Sequence, residues 1–101
     1  MRFIWGLGIK RILERYPDWL KSDNLTADQS RCCSAVSESL AAVDAMPDAR
    51  QRRGVIERVY FRKSHTVLGA AMSMGVSQRT AERYLAQYQR DVGARLNLPD
   101  I

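Results

Sequence analysis

Apolar side chains recur at helical spacing along most of the chain. Residues 3–21 place theirs on one face of a predicted first helix, which Pro17 is expected to kink or divide. That face consists of Trp5, Ile9, Ile12, Leu13, Tyr16 and Leu20. Thr26 followed by Gln29 is a capping box, which predicts a second helix that runs to about Ala45. The buried face of this second helix is expected to contain Cys33, Val36, Leu40 and Val43.

The helical pattern continues into three further elements. A third helix is predicted from Met46-Pro47-Asp48 to about Phe61, with the proline in its first turn and the aspartate complementing the helix dipole. A short helix follows over residues 66–74, and a longer one runs from Gln78 towards Leu96. The third helix is expected to bury Val55, Ile56, Val59 and Tyr60. Because no alternation of period two and no Asn-Gly or Asp-Gly turn is present, the predicted fold class is all-α.

Residues 71–81 have the spacing of a helix-turn-helix. Ala71 is small enough for two helices to approach closely, Gly75 supplies the positive φ of the turn, and Ser77 is a favoured N-cap. Val76 is expected to fill the angle between the helices. Residues of the last helix that should face the core are Ala81, Leu85, Tyr88 and Val92. The alternative is an αα-corner with a solvated outer surface.

The length of 101 residues favours one compact domain. The prediction is therefore a single-domain bundle of about five helices over residues 1–101. Within it, residues 1–46 hold the N-terminal helices, residues 47–96 hold the helix-turn-helix part, and residues 97–101 form a tail. The 46% of hydrophobic residues form no run long enough to span a membrane, and residues 1–10 are not followed by a signal cleavage site. A cytosolic protein is expected.

Positive charge is concentrated in one part of the chain. The net charge is +5, yet residues 50–90 alone carry nine Arg or Lys against two Glu. The flanking segments 1–49 and 91–101 each carry a net charge of −1. A concentrated basic face is what a polyanion such as nucleic acid requires. The alternative is a solvated, arginine-rich helix surface.

The outer face of the last helix follows from its core face. About 180° from Ala81 lie Arg79, Arg83 and Arg90. In a helix-turn-helix, the early residues of the second helix reach base edges, where Arg pairs with guanine and Gln with adenine. The predicted base contacts are Gln78, Arg79 and Arg83, with Thr80 beside them. The predicted phosphate contacts are Arg62, Lys63, His65 and Arg90.

Little in the sequence indicates catalysis or metal binding. Cys32 and Cys33 stand without a second ligand pair, and a disulfide between neighbours is strained, so both are predicted to be buried, reduced thiols. His65 has no nucleophile or paired carboxylate beside it, so a helix cap or a phosphate contact is expected. We expect no catalytic residue, metal or cofactor. Trp19, at the edge of the apolar stripe, is either a core residue or an anchor for a protein partner.

The N-terminal segment resembles a known family. Residues Ile12-Leu-Glu-Arg-Tyr-Pro-Asp-Trp-Leu-Lys-Ser-Asp-Asn24 are similar to the opening LERW-x-x-W…DN segment of lambdoid phage antitermination proteins of the Q type, in the branch without a zinc finger. Ser30-Arg-Cys-Cys33 followed by a helix also matches that branch. The helix-turn-helix after residues 53–61 is arranged as in the same family, and it also looks like the promoter-reading domain of sigma factors. Tyr16 and Pro17 replace the usual Trp-Gly, and the loop before the cysteines is shorter than usual.

The resemblance implies transcription antitermination of phage late genes. Such proteins bind double-stranded DNA near the late promoter, load onto the paused bacterial RNA polymerase holoenzyme, and promote readthrough of pauses and terminators. In the zinc-free branch the protein sits at the RNA exit channel, which makes nascent RNA a further implied partner. Residues 1–46 are then expected to contact the polymerase, in the cytoplasm of a bacterial host.

Two other functions fit a basic helix-turn-helix. One is a regulator of transcription initiation, in one version a dimer that reads two half-sites, although no heptad run for a dimer is present. The other is a DNA-packaging adaptor similar to a small terminase subunit. A chain of 101 residues leaves little room for the oligomerisation region of such an adaptor.

Overall fold

Residues 5–96 form five α-helices and one short π-helical segment. The structure is a computed structural model that describes the backbone of residues 5–96 and the side chains of residues 8–96. The α-helices are α1 (Trp5–Leu20), α2 (Ala27–Asp44), α3 (Ala49–Ile56), α4 (Val67–Met74) and α5 (Gln78–Arg95). The π-helical segment Glu57–Phe61 continues α3. The predicted all-α bundle of about five helices is therefore confirmed. The side chain of Trp5 and the predicted tail 97–101 lie outside the described residues.

The ends of α1 and α2 follow from local sequence signals. Thr26 Oγ1 accepts a hydrogen bond from the Gln29 N–H at 3.1 Å, and Gln29 Oε1 accepts one from the Thr26 N–H at 3.0 Å. This is the predicted capping box. Pro17 lies inside α1, which continues unbroken to Leu20. The predicted division of this helix is therefore wrong, because a proline removes one backbone donor without ending a helix that is held by packing on both sides of it.

The start of α3 differs from the prediction. Asp48 is the N-cap, with a left-handed φ of 60° and no side-chain cap hydrogen bond, and the helix begins at Ala49. Pro47 therefore precedes the first turn, because Asp48 reverses the chain after α2 before the helical conformation resumes. The predicted end at Phe61 is reached through the π-helical segment.

The core is built around α5, which packs against each of the other four α-helices. The predicted core positions Ala81, Leu85, Tyr88 and Val92 are all buried. In α3 and the π-helical segment, Val55, Ile56 and Tyr60 are buried, while Val59 is half-buried. In α1, the predicted core positions Ile9, Leu13 and Tyr16 are buried and Ile12 is half-buried. Leu20 is 61% exposed, so its predicted core position is wrong, because α1 ends there and extends past its neighbours.

The second helix carries a polar residue in the core. Val36, Leu40 and Val43 are buried as predicted, but Cys33 is only half-buried. Ser39 is fully buried, and its hydroxyl has no hydrogen-bond partner among the described residues. Tyr88 ties α5 to α2 by donating a hydrogen bond to the Val36 carbonyl at 3.1 Å.

Within residues 5–96, no helix combines the length and the apolar character needed to cross a membrane.

Candidate nucleic-acid interface

The turn between α4 and α5 has the geometry of a helix-turn-helix. Gly75 has a φ of 71°, and the Val76 N–H donates to the Ala71 carbonyl at 3.0 Å, which closes the end of α4. The Ser77 hydroxyl accepts the Thr80 N–H at 3.1 Å and so caps α5. Ala71 is only 1% exposed, as the close approach of the two helices requires. The predicted helix-turn-helix is confirmed, with Val76 half-buried beneath the turn.

The outer face of α5 carries the predicted arginine stripe. Arg79, Arg83 and Arg90 are exposed, and Gln78 is exposed at the first position of the helix. The core residues of α5 lie on the opposite side, since positions 81, 85, 88 and 92 are buried. A helix of this kind presents its N-terminal outer residues to the bases of a major groove. We define Gln78, Arg79, Arg83 and Arg90 as the α5 stripe.

Thr80 fits the predicted contact set less well. Its side chain is half-buried, and its Oγ1 accepts the Ser77 hydroxyl proton at 2.9 Å. The hydroxyl therefore belongs to the N-cap of α5 rather than to the open face. For a base contact, Thr80 Oγ1 would have to exchange its hydrogen bond from the Ser77 hydroxyl for one to the base.

The predicted phosphate-contacting residues Arg62, Lys63 and His65 form a separate group at the entrance to α4. Arg62 is exposed, Lys63 has a left-handed φ of 52°, and the Lys63 ammonium lies 3.4 Å from the Glu14 carbonyl of α1. His65 is exposed, and its Nδ1 lies 2.7 Å from the Ser64 hydroxyl.

The N-cap of α4 is Thr66, whose Oγ1 accepts from the Gly69 N–H, so the expectation that His65 caps this helix is wrong. Helix α4, whose eight residues span about 12 Å, lies in the chain between the group at positions 62–65 and the start of α5. Phosphate contact by this group stays a prediction.

Arg52 is a cation beside the α5 stripe that the sequence pattern did not single out. Its guanidinium carbon lies 4.5 Å from the centre of the Tyr84 ring, and its Nη1 donates to Gln87 Oε1 at 2.8 Å. The Arg83 guanidinium carbon lies 5.9 Å from the same ring centre. The buried ring of Tyr84 is thus shared by two cations, one from α3 and one from α5. This arrangement extends the positive surface from α5 onto α3.

Most of the positive charge in residues 50–90 is not neutralised inside the protein. Among the described residues, ion pairs involve only two cations, Arg53 with Asp44 and Glu57, and Arg95 with Glu38 and Asp91. Eight of the nine cations in residues 50–90 therefore have no acidic partner in the described structure. Unpaired guanidinium groups are available to phosphate, which they bind through paired hydrogen bonds.

The two cysteines are free thiols that lie partly in the core. Both are half-buried, so the prediction of full burial is wrong, because α2 turns its 32–33 edge towards solvent. Burial raises the pKa of the Cys32 thiol and that of the Cys33 thiol. Within the described part of the chain, no group of three or more His, Cys, Asp or Glu side chains could hold a metal ion. Trp19 is half-buried, a placement compatible with either of its predicted roles.

Comparison with known protein families, with curated proteins and with solved structures found no match to this chain. The resemblance to phage antitermination proteins therefore stays a prediction that depends on the residues quoted for it.

Proposed function

We propose that the protein is a DNA-binding transcription factor that acts as an antitermination factor of phage late genes. DNA binding is supported by one observation above the others, the exposed α5 stripe on the second helix of a helix-turn-helix. Its arginines have no acidic partner among the described residues, so their charge is available to a polyanion.

The base-reading part of the proposal rests on the first turns of α5. Gln78, Arg79 and Arg83 lie within its first six residues, where a recognition helix contacts base edges. Arg90 lies two turns further along the same face and contacts the phosphate backbone. The protein would in this way hold a promoter-proximal duplex through one helix.

The antitermination part of the proposal rests on the resemblance of residues 12–24 and of the pair Cys32-Cys33 to the zinc-free Q-type proteins. Residues 1–46 would then contact the RNA polymerase holoenzyme in the cytoplasm of a bacterial host. The half-buried Trp19 and the exposed Leu20 at the end of α1 are the apolar side chains there that a partner could cover.

Transcription in vitro tests the proposal. The template carries a phage late-promoter region and a downstream terminator, and the readout is the fraction of transcripts from bacterial RNA polymerase that pass the terminator. Readthrough should rise only when both the protein and the promoter-proximal DNA are present. The variant Arg79→Ala/Arg83→Ala should lose both this effect and duplex binding. The matched control Lys10→Ala/Lys21→Ala removes the same charge from the part of the chain expected to contact the polymerase, and it should keep duplex binding.

Other outcomes would identify another function. Altered promoter output with unchanged readthrough would favour the regulator of initiation. A ring assembly in light scattering, without any effect on transcription, would favour the packaging adaptor.

A further inference from the structure

A second basic surface lies on α3, away from the α5 stripe. It is a groove of about 400 Å³ between α3, the π-helical segment and the end of α4. We define the α3 groove by its lining residues Arg50, Gln51, Arg53, Arg58, Ser73 and Met74. Glu57 also borders it, so three arginines stand against one carboxylate.

The two basic surfaces point in different directions. At 100° per residue, Arg50 and Gly54 lie on the face of α3 opposite the buried Val55 and Ile56. Arg52 lies on the inner side of α3, where it reaches Tyr84 and Gln87 of α5. Helix α5 is therefore packed against the inner side of α3, and the groove opens on the outer side. Helix α3 therefore lies between α5 and most of the arginines of the groove.

The groove offers free cationic donors to a ligand. Arg53 forms ion pairs with Asp44 at 2.6 Å and with Glu57 at 3.5 Å. The second ion pair also neutralises Glu57, the carboxylate that borders the groove. Arg58 donates one N–H to the Gly54 carbonyl at 3.2 Å, which fixes the side chain along the helix and leaves its other donors for a ligand. Arg50 is exposed and has no acidic partner in the described structure.

The neutral lining of the groove also fits a nucleic-acid strand. Gln51 and Ser73 supply neutral hydrogen-bond donors, and Met74 supplies an apolar floor for a sugar or a base. Positive charge with interspersed polar and apolar contacts is the composition of grooves that follow a phosphate backbone.

We infer that the α3 groove is a second nucleic-acid site, which binds the phosphodiester backbone of a strand other than the one at the α5 stripe. The distinction between the two strands rests on the proposed function of α5. Binding at the groove itself depends on Arg50 and Arg58 and is measurable without any duplex. The protein then holds two nucleic-acid segments at once, on two faces of one domain.

Fluorescence anisotropy of the full chain with labelled oligonucleotides tests the inference. The probes are single-stranded RNA and single-stranded DNA of about 20 nucleotides, longer than one binding site, and a duplex of the same length. Arg50→Gln/Arg58→Gln should weaken single-strand binding about tenfold and reduce the slope of log K against log salt by about 1.4, since each phosphate contact contributes about 0.7. The control Lys10→Gln/Lys21→Gln removes the same charge from exposed positions in α1 and directly after it, and should change binding much less.

Competition separates the two sites. A saturating unlabelled duplex should leave the labelled single strand bound, and Arg79→Ala/Arg83→Ala should lose duplex binding while keeping single-strand binding. A preference for RNA or for DNA in the single-strand arm identifies the natural strand. Thermal unfolding of each variant, unchanged from that of the parent protein, shows that the losses are local.

Three results would overturn the inference. The first is equal loss in the groove variant and in the α1 control. The second is displacement of the single strand by the duplex, which would mean one shared site. The third is displacement by polyglutamate at equal charge, which would assign the groove to an acidic protein segment. Absence of duplex binding in the parent protein would instead contradict the proposed function of α5. The single-strand titrations would still show whether the α3 groove binds nucleic acid.

Discussion

The Sδ and Cε atoms of Met74, at the end of α4, lie where a β-carbon on Gly54 of α3 would be placed. Gly54 is buried under this methionine, whose thioether end fills the space that a side chain at position 54 would take. Both residues also border the α3 groove. The contact couples the first helix of the helix-turn-helix to the helix before it.

Gly54→Ala should leave the stability of the protein nearly unchanged. The new methyl group requires the flexible end of Met74 to move, and the cost of that movement offsets the better helix propensity of alanine, which is worth about 1 kcal/mol. In the background Met74→Ala the obstacle is gone, so the same substitution should stabilise the protein by up to about 1 kcal/mol. Urea unfolding of the four proteins in the cycle measures both effects. If Gly54→Ala has the same effect in both backgrounds, Met74 does not oppose a side chain at position 54.

Ser39→Ala should stabilise the protein by roughly 1 kcal/mol. The buried hydroxyl has no partner, so its removal ends a desolvation cost and gains helix propensity. Ser37→Ala in the same helix is the matched control, because its hydroxyl lies 2.7 Å from the Tyr16 hydroxyl. That variant gains the same helix propensity but loses this hydrogen bond, so it should be neutral or destabilised by up to about 1 kcal/mol in the same urea titration. Destabilisation by Ser39→Ala would show that its hydroxyl is hydrogen-bonded in solution.

Stability should fall above about pH 10 because of buried tyrosines. Burial raises the pKa of Tyr88, and burial also raises the pKa of Tyr60, from the ordinary value of 10.0. The folded protein therefore keeps these protons where the unfolded chain releases them, so the stabilisation is complete below pH 10 and decreases as the pH rises further. Each such group contributes a slope of up to about 1.4 kcal/mol per pH unit.

Tyr88→Phe isolates one of these groups. It removes the hydrogen bond to the Val36 carbonyl and should cost about 1 kcal/mol at neutral pH. It should also flatten the decrease above pH 10, because one titrating group is gone. Chemical unfolding from pH 7 to 11 under reducing conditions measures the loss of unfolding free energy at neutral pH and its decrease above pH 10. Parallel pH profiles for the variant and the parent protein would contradict the assignment to Tyr88.

The arginines of α5 should differ in how they affect DNA binding. Arg79→Ala and Arg83→Ala should each cost about 1–3 kcal/mol on a cognate duplex and reduce discrimination against random DNA. Arg90→Ala should weaken binding to all sequences alike and lower the salt slope by about 1. Anisotropy titrations on cognate and random duplexes at several salt concentrations measure both parameters. Unchanged discrimination in Arg79→Ala would remove Arg79 from base contact.

The sequence predicted best those features that depend on neighbouring residues. The capping box at Thr26, the turn at Gly75 and the cap at Ser77 use contacts within three or four positions, so their patterns are visible in the chain itself. The arginine stripe followed from the periodicity of α5 for the same reason.

Features that depend on how helices pack could not be predicted from the sequence. Helix α3 carries arginines at positions 50, 52 and 53, and only the packing of α3 on α5 selects Arg52 to reach the Tyr84 ring. Tyr84 itself lies at the edge of the core face, where periodicity does not distinguish buried from exposed positions. The exposure of Leu20 and the left-handed Asp48 likewise depend on where neighbouring helices end.

Helix α5 is both the helix that contacts all four other α-helices and the predicted recognition helix. Its inner residues are fixed by four neighbouring helices, so this helix cannot tilt or shift register on DNA without disturbing the whole core. In the proposed function, recognition is then expected to be rigid, with the DNA and the outer side chains making the adjustments. Changes of target sequence are expected at the few outer positions of α5, where a new specificity can evolve while the scaffold that carries it remains the same.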